Sequence, residues 1–173
     1  FIVYNVFSGV LIGGKAMKTD NEMVDVATAF CRLIESVDEA DSSWLHQLAS
    51  LLPRLHAAVD ALRGHDADPF CLVNTDLDTR FEIYSRLRDK LGTNDSYWME
   101  FDVALDGQSM SGSLADDLTD IYCDLKSGLS ILDDEPNLAL ENWRNSYMIH
   151  WGQHLVDASR HLYELDTRKQ LSS

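Results

Sequence analysis

The chain has 173 residues, 21 of them Asp and 8 Glu against 14 Lys and Arg, for a formal net charge of −15. Such a length can bury roughly 70% of the surface of its unfolded chain around one core, with no need of staples. A field of this sign repels phosphate backbones and anionic lipid, which sets aside nucleic acid and membrane surfaces as partners.

Phe1 to Gly14 is apolar and β-branched, with no basic residue ahead of its hydrophobic run. It is too short to span a bilayer and wrongly flanked for a signal peptide. Residues 1–16 read as an apolar N-terminal tail of vector or upstream origin, ahead of a helical domain over 17–173. Packed on a second copy, residues 1–14 would support a homodimer. Gly9, Gly14 and Lys15 approach a phosphate-binding loop, but Ala16 stands where a hydroxyl must hold magnesium, so a nucleotide site is not expected.

From Asp20 onward the apolar spacing is helical. Met23, Ala27, Phe30, Ile34 and Val37 form one stripe, predicting a first helix over 21–37 capped by Asp20 or Asn21. Ser42 or Ser43 opens a second, with Leu45, Leu48, Leu52, Leu55, Val59 and Leu62 in register and Gly64 as its stop. The register continues through Pro53, which predicts one helix kinked there, with Ser50 as a local cap if it breaks. A polar link from His65 to Thr75, containing Pro69, leads to a third helix over 76–91 with Leu77, Phe81, Tyr84, Leu87 and Leu91 inward. Thr93 to Gly112 reads as a loop. The fourth helix, Ser113 to Leu132, turns Leu114, Leu118, Ile121, Leu125 and Leu129 inward. A fifth runs from Asp134 to Asp166, with Pro136 in its first turn. Such stripes bury only against one another, so the expected fold is all-α: a single-domain antiparallel bundle of about five helices, with no strand after residue 16.

Cys31, Cys71 and Cys123 make an odd count without a CxxC pair, the usage of buried thiols in a reducing cytoplasm. On the fifth helix His150, His154, Asp157 and His161 fall within about 60° of one another. Asp117 and Asp124 flank the core on the fourth, while Asp120 is expected to face solvent and Asp116 to act as a capping-box residue after Ser113. A metal or small-ligand site on these residues competes with a structural network in which His154 and His161 sit satisfied in the packing seam. Di-iron carboxylate bundles need paired Glu-x-x-His motifs, which this chain lacks. Gly107 to Ser111 resembles a nucleophile elbow but ends in Ser, with no strand ahead of it. Tyr97, Trp98, Tyr122 and Trp151 are candidate pocket walls, and Gly152, in mid-helix, suggests close approach of another helix.

Two segments, SLADDLTDIYCDLKSGL (Ser113 to Leu129) and WRNSYMIHWGQHLVDASRHLY (Trp143 to Tyr163), resemble an uncharacterised bacterial family, domain of unknown function 5063. LLPRLHAAVDAL and SYWMEFD extend the likeness over about residues 22 to 165. The resemblance implies a helical bundle in a bacterial cytosolic protein without an assigned activity. Its signature positions are Ser113, Asp116, Asp117, Asp120, Tyr122 and Asp124, then His150, Trp151, Gly152, His154 and Asp157.

The leading functional expectation is a cytoplasmic, non-catalytic module that binds an unidentified protein and needs no cofactor. The alternative is a divalent-metal or small-ligand protein using His150, His154, Asp157 and His161 with Asp117 and Asp124. An enzyme with His154 as general base, oriented by Asp117, comes third.

Overall fold

A computed structural model describes the backbone of residues 9–62, 76–100 and 109–171, and the side chains of 22–62, 76–98 and 111–171. Asp66, Asp68, Pro69, Cys71 and Phe101, together with Gly107 and Gln108 of the elbow-like run, lie outside the described residues. The architecture is an all-α bundle: α1 (Gly9–Glu35), α2 (Trp44–Asp60), α3 (Leu77–Leu91), α4 (Leu114–Ile131), α5 (Pro136–Ser146) and α6 (Gly152–Thr167). Among the described residues no helix is long and apolar enough to cross a membrane.

The α1 backbone is helical from Gly9, so neither Asp20 nor Asn21 caps it, and the stretch read as a tail is helical from residue 9. Its core face is the expected one, with Met23, Val26, Ala27, Phe30 and Ile34 buried. Trp44 opens α2 and donates its Nε1–H to the Leu33 carbonyl at 2.9 Å, tying the two helices together. The second helix runs unbroken past Pro53, and the Ser50 hydroxyl returns to the His46 carbonyl of its own helix instead of capping a new one.

On α3 the buried stripe is Ile83, Leu87 and Leu91, whereas Leu77 and Phe81 are 78% and 69% exposed. The expected inward face is therefore wrong over its first half. Polar bonds hold that helix: Arg86 Nε donates to Asp38 at 2.8 Å and Lys90 to the Ala40 carbonyl at 2.5 Å.

A hairpin replaces part of the expected loop. Strands β1 (Ser96–Glu100) and β2 (Ser109–Ser113) pair antiparallel, with Ser96 opposite Ser113 and Tyr97 opposite Gly112. Neither strand shows a period-two apolar pattern, because the pair is only two strands wide and β2 is Ser and Gly apart from Met110. Glycine is needed at 112 since a Cβ there would collide with the Tyr97 ring lying across it. Asp95, at the base of the hairpin, caps α4: its Oδ1 accepts from Ala115 N at 2.8 Å and from Ser113 Oγ at 2.9 Å.

The expected fifth helix is two helices joined by a π turn over Tyr147–Trp151. The Gly152 N–H bonds to the Tyr147 carbonyl five residues back, and Trp151 Nε1 donates to Ser146 Oγ at 2.9 Å across the same turn. Gly152 does admit a close neighbour, but the neighbour is the Tyr147 carbonyl of its own turn, not another helix. Among the helices, α4 packs against α1, α3, α5 and α6, and is the central element.

Candidate metal centre

Because partners surround α4, its polar residues are drawn in along with its apolar ones. Asp117 and Asp120 are each only 5% exposed. The expectation that Asp120 faces solvent is overturned: its carboxylate is gripped by Arg80 Nη1 of α3 and lies 3.3 Å from His154 Nε2. Asp116 goes to the same guanidinium, accepting from Nη2 at 3.1 Å, while its backbone N–H donates to Ser113 Oγ at 3.2 Å. Ser113 is the expected cap.

Across from these acids, α6 and the π turn present two histidines. His154 Nδ1 donates to Asp117 Oδ1 at 2.8 Å, and His150 Nδ1 to Asp124 Oδ2 at 2.7 Å. The rings stand edge to face, 5.3 Å between centroids. Asp117 receives a further hydrogen bond from the Tyr97 hydroxyl of β1. One donor atom each from Asp120, His150 and His154 lies within 4.8 Å of the others.

His161 has a different role. It stacks on Tyr97 with centroids 4.6 Å apart and donates Nε2–H to the Asn94 carbonyl at 2.8 Å, holding the base of the hairpin against α6. Asp157 stays near the cluster, where its charge acts on Tyr97, Asp117 and His154. Of the aromatic residues expected to wall a pocket, Trp98 is 72% exposed, while Tyr97, Tyr122 and Trp151 are buried. Tyr122 donates to Glu35 at 3.0 Å, so these three are committed to internal packing and bonding.

The cluster is electrostatically lopsided, with Asp116, Asp117, Asp120, Asp124 and Asp157 against the guanidinium of Arg80 and, over the Tyr97 ring, that of Arg160. Its hydrogen bond to Asp117 raises the His154 imidazole above its ordinary range, burial raises the Asp117 carboxyl, and burial, then Asp117, raises the Tyr97 hydroxyl so that it remains a donor. The native chain thus holds a proton at His154 that the unfolded chain gives up near pH 6.5. This contribution is complete below that pH and is lost as pH climbs through the raised folded value. In the presence of a chelator, Tm is expected to fall as pH rises above about 6.5. His154→Gln, which cannot titrate, should flatten that limb; an equally steep limb in the variant would contradict the assignment.

Sequence reasoning turned Asp120 to solvent and did not single out Arg80. The signal for Asp120 was its four-residue spacing to Asp124, matching the spacing of His150 and His154 on the facing helix. Nothing in the local pattern marks Arg80.

The fold has a solved counterpart. Protein BF1032 from Bacteroides fragilis, a structural genomics target, is similar with a TM-score of 0.70 over 86% of this chain and 92% of that one, at 21% identity. At that identity the likeness shows the fold alone. No curated protein matches the chain. A family profile described as a domain of unknown function, DUF5063, matches residues 15–168. With nearly the whole bundle inside that match, the chain belongs to the DUF5063 family.

Proposed function

We propose that this protein binds one divalent transition-metal ion through Asp120 and the Nε2 atoms of His150 and His154. The observation that carries the reading is the way the groups behind the ligands are arranged. Each histidine has its Nδ1 bonded to a carboxylate, Asp124 or Asp117, which fixes the ring and leaves Nε2 as the donor toward a metal. Asp120 is anchored by Arg80 through Oδ1, leaving Oδ2 on the histidine side. Two imidazoles and one carboxylate suit zinc or another mid-series ion, and three protein ligands leave coordination positions open. These face water, since the His150 side chain is 50% exposed and that of His154 25%.

A general base at His154 has less support, because the nitrogen it would use lies against Asp120. A reducing, cytoplasmic setting fits the buried thiols of Cys31 and Cys123, the former pushed by burial up to about 12.

Elemental mass spectrometry and zinc calorimetry on protein made without a polyhistidine tag test the proposal. One ion per chain is expected, with binding lost in Asp120→Asn and in His150→Ala. Absence of stoichiometric metal together with absence of binding heat would return the cluster to a structural role.

A further inference from the structure

A cleft of about 700 Å³ runs between α1 and α2, well away in sequence from the metal ligands. Its apolar floor is Ala29, Leu33 and Leu51, and its flanks carry Arg32, His46 and Arg54. No residue lining it is acidic, although acids outnumber bases 29 to 14 in the chain as a whole. The residues lining the cleft are thus basic or neutral, unlike the acid surplus of the chain as a whole. Arg54 makes one ion pair, to Glu22 at 3.1 Å, but both side chains are more than half exposed, so the pair is weak and exchangeable.

The spacing of these side chains says what shape of partner they suit. His46 and Arg54 are two turns apart on α2, about 12 Å at the rise of a helix, and Arg32 lies on the facing helix. A small anion would engage one arginine; an elongated partner lying along the cleft engages both. A polyphosphate strand is elongated as well, but it has no use for an apolar floor. We infer that this cleft docks an acidic amphipathic helix of a partner protein. Its apolar residues lie on Ala29, Leu33 and Leu51, and its Asp and Glu side chains pair with Arg32 and Arg54. This gives the interaction-module reading of the sequence a definite surface and stands independently of the metal.

The test is fluorescence anisotropy with a panel of labelled helical peptides carrying Leu at i, i+3 and i+7 with Glu on the flanks. Saturable binding that weakens with salt is expected, and Arg32→Glu/Arg54→Glu, both at exposed positions, should weaken it at least tenfold with circular dichroism unchanged. Three outcomes would each overturn the assignment: no binding by any peptide, equal binding by the charge-reversed chain, or equal binding of the same peptides with Glu replaced by Lys. Competition by single-stranded DNA as effective as that of unlabelled peptide would do the same, by making the cleft a generic polyanion site.

Discussion

Zinc supplied at about a hundred times its Kd is expected to raise Tm by about 5–10 °C, and the rise should disappear in His154→Ala. Ligand binding to the native state alone at that ratio contributes about 2.7 kcal/mol, and a chain of this size shifts by about 2–4 °C per kcal/mol. His154 is the informative position because it joins both halves of the cluster, with Asp117 on one ring nitrogen and Asp120 beside the other. The alanine variant also strips a partner from two carboxylates that are each 5% exposed, which costs on the order of 1–3 kcal/mol without any metal. His154→Gln separates the two effects, since an amide can still donate to Asp117 but is a poor zinc ligand. Asp117→Asn should weaken zinc about 10–100-fold with every ligand in place, the usual consequence of losing the group behind a ligating histidine. An undiminished zinc-induced rise in His154→Ala would sink the proposed centre.

Gly152→Ala is expected to lower Tm by about 4–8 °C, and the sign is what matters. In a regular helix the exchange is favourable by about 1 kcal/mol. Here the new methyl meets the Tyr147 carbonyl of the π turn, backbone that cannot swing aside as a side chain can. Overpacking of this kind costs about 1–3 kcal/mol, and a backbone obstacle puts the net loss near 2 kcal/mol, or about 4–8 °C. The π turn contains His150 and delivers His154 onto α4, so zinc affinity should fall in the same variant. A Tm above that of the parent chain would mean that residue 152 sits in ordinary helix.

What could be read from the sequence follows from which forces are local. The stripes of α1, α2 and α4 are visible because a helix buried on one side repeats its apolar residues every three or four positions, and the Ser113 cap of α4 is a contact within one turn. The facing pairs Asp117 with His154 and Asp124 with His150 were legible as residues, though not as bonds. Asp120 was misplaced because a helical wheel drawn from Leu118 and Leu125 assumes one buried face. α4 has neighbours on most sides, and Ala115, Thr119 and Cys123 are buried as well. The π turn hides because one extra residue shifts the helical phase while Trp143, Tyr147 and Trp151 keep a four-residue rhythm. Leu77 and Phe81 misled for the converse reason: apolar spacing predicts burial only where another element arrives to cover it.

The way α3 is docked has a consequence for how the molecule opens. It contributes three buried side chains, Ile83, Leu87 and Leu91, and is otherwise held by Arg80, Arg86 and Lys90. Contacts between charged groups near the surface are screened by salt, whereas the packing of α4 against α1, α5 and α6 is not. Cooperative units of a protein unfold in order of their own stability, and with only three buried side chains α3 is expected to open before the core it leans on. Its detachment would withdraw Arg80 from Asp116 and Asp120 and leave Asp120 with His154 alone. Opening of α3 would thus change the charge at the candidate centre through a helix that supplies it with no ligand.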